Sequence, residues 1–453
     1  MSKSIKNKNI LLWCSPGFGM VDMWLPIIRK IKKSHNITID FVFPEPSSLT
    51  LEDDNSDLFK LSYKLADRVF FKGNSGRWFV SHNLVDARNG VRLNKYNRQV
   101  MQLSRRLLKG RASTYFLLRI IGRFILFISK YIISIKEHIN NNLYDISLLS
   151  NVDGIFCDIT VEDKTCNKLL KSELKHIAKF SMAQGTAATW YMKEFLCREK
   201  VDLRKDLFVY SMSHLESTGY QKCFGALESN MVYAGIPKHD NDWIEFIRRQ
   251  SVSVEKDLFD SYVFIISRPA SPYITPERKK RALMDIYNII CVKYKLKLVI
   301  KKHPKESLDG IDGDIYMDAL GKDNYGTKWM FSNKHPFVLG GGAVFCVSFY
   351  SGVILDMLAI NKSTIEYLDL RGLDKYDNDD SLRDEYGAPV FSERYEKLVL
   401  GASTEHEFEK HVENILDNYK EVLLPLKAKY EECFVVSDNS SDIIVKDIMR
   451  VIE

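Results

Sequence analysis

Two short stretches of this chain bring together side chains that can hold a phosphate. VIKKHPKE (299–306) sets Lys302, His303 and Pro304 at the end of an apolar run. Proline stops a sheet ladder and keeps the preceding residue extended, so the imidazole is expected at a strand end, where it can donate to a phosphate oxygen while lysine adds charge. CVSFYSGVILDMLAIN (346–361) places Ser348, Ser351 and Gly352 between a strand-like and a helix-like run, with Asp356 about one turn further on. Hydroxyls beside the open N–H groups of a helix start suit an anion, and a carboxylate there suits ribose hydroxyls. Each stretch also has a plainer reading: a strand-end turn with solvated lysines, and a serine that only caps a helix. Arg268 in SRP (267–269) ends a third apolar run and can fork onto a phosphate.

Transfer of a group to a hydroxyl needs a general base, or a carboxylate nucleophile if configuration is retained. Asp158, at the end of DGIFCDI, is the first candidate; Asp240 in GIPKHD and Asp22 in SPGFGMVD are the others. The plainer reading of Asp158 is an acid at a helix start. His214 and His239 read as structural or surface residues. Gly17 and Gly19 lack the third glycine of the dinucleotide fingerprint, so they are expected to shape a backbone facing a cleft rather than to bind a dinucleotide. The acidic patch LDGIDGDIYMD (308–318) lacks the ligand spacing of a calcium loop. Neither a metal nor a cofactor is expected.

The elements that would position these residues alternate. NILLWC, TIDFVF, DGIFCDI, HIAKFSMAQGT, DLFVYSM and NMVYAGIP read as strands, with helices at VDMWLPIIRKIKK and KHDNDWIEFIRRQ. After a linker at 251–261 a second series begins: YVFIISRP, LKLVIKKHP, PFVLGGG, AVFCVSF and STIEYLDL, with helices at PERKKRALMDIYNIICVKYK and SGVILDMLAIN. Such alternation predicts an α/β protein with two tandem doubly wound, Rossmann-like domains, whose ligands sit at the carboxyl ends of the strands. We expect domains at 1–250 and 251–425, with a helical segment at 426–453 packing back on the first.

Residues 47–100 read as polar and irregular. Residues 101–140 are strongly apolar, yet Arg105, Arg106, Lys109, Arg111, Arg119, Arg123 and Lys130 run through them. That density of charge argues against a spanning helix. A buried helix of the first domain is the favoured expectation. The other is a basic amphipathic helix, over about 104–136, lying on anionic lipid.

At 453 residues, two cores are expected. The net charge of +6 is too small to imply nucleic acid, and suits a polyanionic substrate or an anionic surface. Eight cysteines without a C-x-x-C pair or zinc spacing read as free buried thiols. No signal-like segment is evident, so a cytoplasmic protein, at most at the inner face of the plasma membrane, is expected.

The order of these pieces resembles the C-terminal domain of GT-B glycosyltransferases that build bacterial surface polysaccharides. That order is a strand with His-Pro, a strand with S-x-x-S-G, a helix bearing an acid, then STIEYLDL. The nearest relatives would be the Kdo and sialic acid transferases that use CMP-sugars, and CDP-glycerol glycerophosphotransferases look similar. The resemblance runs from about Tyr262 to Leu370. It implies a cleft between the two domains and a phosphate role for His303, Ser348 and Ser351. Many of those families have His-Gly where this chain has Gln184-Gly185. The expected activity is transfer from a nucleotide-sugar donor, CMP-linked, to a polysaccharide or glycolipid acceptor. The alternatives are a CDP-polyol phosphotransferase, a UDP-sugar epimerase-like enzyme, or a non-catalytic nucleotide-binding protein.

Overall fold

The computed structural model describes residues 8–14, 18–45, 49, 56–92, 95–108, 116–138, 141–149, 151–160, 174, 176–183, 202–251, 258–306, 308, 310–373 and 382–453. Two sheets organise the chain. The first contains β1 (Lys8–Trp13), β2 (Ile37–Phe43), β3 (Arg68–Lys72), β4 (Trp78–Ser81), β5 (Asn142–Leu143), β6 (Gly154–Cys157), β7 (Ala178–Ser181), β8 (Leu207–Ser211) and β9 (Met231–Tyr233). Their spatial order is β5-β4-β3-β2-β1-β6-β7-β8-β9, and all neighbours are parallel except β3–β4 and β4–β5.

The second sheet holds β10 (Tyr262–Ile266), β11 (Lys297–Lys301), β12 (Trp329–Phe331), β13 (Cys346–Ser348), β14 (Thr364–Tyr367) and β15 (Leu400–Ala402). It is wholly parallel, in the order β12-β11-β10-β13-β14-β15. The chain order therefore reverses between β10 and β13, and a crevice opens at the carboxyl ends of the strands at such a point. The central strands β10, β13 and β14 are buried throughout, as expected for strands covered by helices on both faces.

In the first sheet, Trp24, on the helix Phe18–Ser34, stacks on Phe156 of β6 with ring centroids 4.2 Å apart. The residues of the 47–100 stretch that the structure describes are more regular than their polarity suggested. Helices Ser56–Leu65 and Leu84–Val91 and strands β3 and β4 lie there, carried by apolar positions such as Leu58, Phe71 and Phe79. PFVLGGG is also corrected, from a strand to a helix at Pro336–Gly342. Pro336 takes the first helical position and the His335 side chain caps the N-terminus.

The favoured expectation of a buried helix in 101–140 is overturned. The helix Phe116–His138 pairs with Lys95–Leu108 through a narrow seam at Gly122, where a Cβ would sit 3.0 Å from Leu107. Most of the rest faces outward, Phe116, Leu117, Phe124, Phe127 and Tyr131 being more than 60% exposed. Among the described residues, no helix is long and apolar enough to cross a membrane. Six cysteines are described; all are buried and none of them forms a disulfide.

The final helix, Ser440–Ile452, returns to the first sheet, where Lys8 Nζ donates to the Ile452 carbonyl, Lys30 pairs with Asp442 at 2.6 Å and Tyr210 donates to Asp447. Asp240 secures the start of this helix. Its carboxylate accepts from the backbone N–H groups of Ser440 and Ser441, each at 2.9 Å, and from the Ser441 hydroxyl. Asp240→Ala is expected to cost about 2 kcal/mol through the lost cap, read as a lower urea midpoint and faster proteolysis ahead of residue 440.

Candidate functional site

A cavity of 540 Å³ lies between the two halves, and the second sheet supplies its residues strand by strand. Arg268 follows β10, Lys301 and His303 end β11, His335 follows β12, and Ser351 and Gly352 follow β13. The first half contributes Gly19 and Asp22 from the helix Phe18–Ser34, and the turn bearing Lys238 and His239. The arrangement is the one doubly wound sheets impose: loops at strand carboxyl ends converge on the switch point.

His303 is held by a buried polar cluster. Its backbone N–H donates to Glu306, and Glu306 in turn accepts from Lys279, Ser267 and Tyr316. Lys279 and the Glu306 carboxylate are buried. The His303 Nδ1 accepts from the Lys305 backbone N–H at 3.1 Å, which leaves the ring proton on Nε2. Burial, reinforced by the Arg268 charge, pushes this histidine down to about 4. The ring is therefore neutral at pH 7 and offers one N–H donor. Affinity for a phosphodiester donor should accordingly stay flat from about pH 5.5 to 8, as titration calorimetry across that range would show. A histidine of ordinary pKa would bind more tightly as the pH fell.

Arg268 lies over the Tyr350 ring, 4.2 Å from its centroid, and donates to the Tyr350 carbonyl and the Tyr273 hydroxyl. Tyr350 itself has φ 110° and stacks on Phe391 at 3.9 Å. A bulky residue in that region stores strain that its packing must maintain, as functional turns often do. The Ser351 hydroxyl accepts from the Val353 N–H at 3.3 Å, so the plainer capping role and a place in the cavity wall coexist.

Between the halves, Asp22 Oδ1 lies 3.3 Å from His335 Nε2. The Nδ1 of His335 accepts from the Phe337 N–H, so its proton is directed from Nε2 to Asp22. Lys238 lies 3.7 Å from Asp22 Oδ2 and 2.8 Å from Asp356 Oδ1. His239 bridges Asp356, at 2.7 Å, to the Tyr430 hydroxyl, at 2.7 Å. Burial opposes ionisation of Asp356, but Lys238 and His239 outweigh it and hold the carboxyl down at about 2. Burial likewise lowers His239 despite its bond to Asp356.

The expected site residues thus divide. His303, Pro304, Arg268, Ser351, Gly352, Gly19 and Asp22 share the cavity wall. Asp356 also reaches it, but both its oxygens are taken by Lys238 and His239, so it serves as a latch between the halves rather than an open ribose acceptor. The Ser348 side chain is fully buried, accepts from the Tyr350 N–H and shapes the turn from beneath. Lys301, not Lys302, lines the cavity; consecutive strand residues face opposite ways. Asp158 accepts from the backbone and hydroxyl of Thr160 in a local turn, away from the cavity lining, and Asp240 holds the final helix. Gly17 and Gln184 lie outside the described residues. His335 and Lys238 were not singled out from the sequence. KHP occurs at 334–336 as well as at 302–304, and that repeat was the available signal for His335. Among the described residues, no group of three or more His, Cys, Asp or Glu side chains could hold a metal ion.

Neither a family model nor a curated protein matches the chain. Solved structures do match along nearly its whole length. A putative UDP-N-acetylglucosamine 2-epimerase from Listeria monocytogenes superposes with a TM-score of 0.55 at 9% identity, covering 99% of this chain and 97% of that one. UDP-GlcNAc 2-epimerase from Neisseria meningitidis, bound to UDP-GlcNAc, gives 0.53 at 12% identity, with 98% and 100% covered. The wall teichoic acid polymerase TagF, soaked with CDP-glycerol, gives 0.50 at 11% identity, with 98% and 89% covered. These likenesses establish the architecture: the chain has the two-domain GT-B fold.

Proposed function

We propose that this chain is a GT-B enzyme that moves a group from a nucleotide-activated donor to an acceptor hydroxyl. The donor that the resemblance to capsule-type transferases implies is a CMP-linked ulosonic acid such as Kdo, and the acceptor a bacterial surface polysaccharide or glycolipid. The observation that carries the proposal is the two-sided cavity. Neutral His303 and cationic Arg268, both from the second half, line the same cavity as Asp22 from the first half, which His335 of the second half holds in place.

In this scheme His303 Nε2–H and the Arg268 guanidinium bind the donor's phosphate and stabilise the charge that grows on it as the bond to the transferred group breaks. Asp22, oriented by the His335 N–H, takes the proton from the incoming acceptor hydroxyl. The acceptor oxygen forms the new bond, and the nucleotide leaves with the bonding electron pair. Lys238, between Asp22 and Asp356, ties the two halves together beside the site. A CDP-polyol donor is the second possibility, favoured by the match to the teichoic acid polymerase; there the new bond forms to phosphorus.

A thermal-shift screen with CMP, CDP, UDP and GDP tests the proposal. A ligand selective for the folded state raises the midpoint in proportion to the logarithm of its concentration. A cytidine-specific rise supports both donors, and linkage analysis of the product then separates glycoside from phosphodiester. A response to UDP alone favours a UDP-sugar enzyme of the epimerase kind. No response to any nucleotide removes the proposal.

A further inference from the structure

The helix Phe116–His138 presents a face of exposed apolar side chains that no other described element covers. Gly122, Ser129 and Ile133 are buried on its inner side, Gly122 against Leu107 and Leu108 of the neighbouring helix. At 3.6 residues per turn, Leu117, Ile120, Phe124, Phe127, Tyr131 and Ile135 fall together on the opposite side, and all are exposed. Arg119, Arg123 and Lys130, also exposed, fall in a single strip along one flank of that apolar face. Apolar and cationic surfaces thus run side by side for the length of the helix, about 34 Å at 1.5 Å per residue.

The charge here is one-signed. From Lys95 to Lys136 there are ten Lys or Arg residues and no Asp or Glu, and this excess accounts for the chain's entire net charge of +6. We propose that this hairpin of helices docks the protein flat on an anionic lipid surface, with the aromatic and aliphatic side chains in the acyl–headgroup boundary and the basic strip at the headgroup phosphates. The lateral placement of the strip is what an interfacial helix requires, since cations at the edge of the apolar face reach the headgroups without being buried. A second copy of this chain is a poorer occupant. Two-fold pairing through this face would set the basic strips near one another, with no acid in the stretch to pair them.

The test is flotation of the full chain with phosphatidylcholine vesicles, with and without phosphatidylglycerol. The wild type is expected to float only when phosphatidylglycerol is present, and to be released by salt. Combined Arg119→Glu, Arg123→Glu and Lys130→Glu should weaken partition by about a hundredfold or more, and Phe124→Glu with Phe127→Glu should abolish it. These positions are exposed, so both variants should keep the wild-type far-UV dichroism. Failure of the wild type to float, or flotation unaffected by either variant, overturns the proposal. So does a dimer in size-exclusion chromatography that the Phe124/Phe127 variant dissociates without any vesicle binding. None of these results depends on the nucleotide cavity, so the two proposals stand or fall separately.

Discussion

Asp22→Asn is expected to lower kcat by about 10²- to 10⁴-fold, the range for loss of a positioned general base, while nucleotide affinity changes little. Asparagine keeps the shape and still accepts from His335 Nε2, but it cannot take a proton. The phosphate-facing groups, His303 and Arg268, belong to the second half and are unchanged by the substitution. Steady-state rates alongside calorimetry with the bare nucleotide separate the two effects. A parallel loss of affinity and rate would assign Asp22 to donor binding instead. Asp158→Asn should leave kcat close to wild type, because Asp158 accepts from Thr160 in its own turn and does not line the cavity.

Asp356→Ala is expected to destabilise the protein by about 3 kcal/mol, the lower end of what breaking a buried pair costs. The variant leaves Lys238 and His239 buried, and Lys238 keeps only its longer contact to Asp22. The pH dependence has a definite sign. The folded carboxyl is held at about 2, below the ordinary aspartate value near 3.9, so its stabilisation is complete above about pH 4 and is lost as the pH falls towards 2. His239, whose pKa burial lowers, adds a loss that begins higher, as the unfolded-state histidine takes up its proton below about 6.5. The carboxyl's own loss is confined to the lowest window, so urea midpoints between about pH 4 and 2 should fall more steeply for the wild type than for Asp356→Ala. Identical slopes would mean that Asp356 is not the latch.

The parts of this site that could be read from the chain are local in sequence. His303-Pro304 ends an apolar run and Ser351-Gly352 opens a helical one, so strand, turn and helix signals within a few residues place both at the same sheet edge. Asp356 was seen as well, but its partner Lys238 lies 118 residues away, and nothing in the spacing reveals that pairing. Asp240 failed for the same reason: its carboxylate caps a helix 200 residues downstream. Asp158 sat where a strand-end acid ought to work, yet a threonine two residues on satisfies it. In Phe116–His138 the apolar residues outnumber what one buried stripe needs, and the sequence alone does not say which side is covered. Packing answers that, since among the described residues of this helix Gly122, Ser129 and Ile133 are the buried ones, and Gly122 meets Leu107 and Leu108.

The cavity's claim to a nucleotide phosphate rests on His303 and Arg268 acting together. Isothermal titration of CMP and CDP into the wild type, His303→Ala and Arg268→Ala tests it most directly. The account predicts measurable binding to the wild type, weakened about tenfold or more by each substitution, in line with the loss of a hydrogen bond to a charged group. Wild-type affinity in both variants would place the phosphate elsewhere and contradict it.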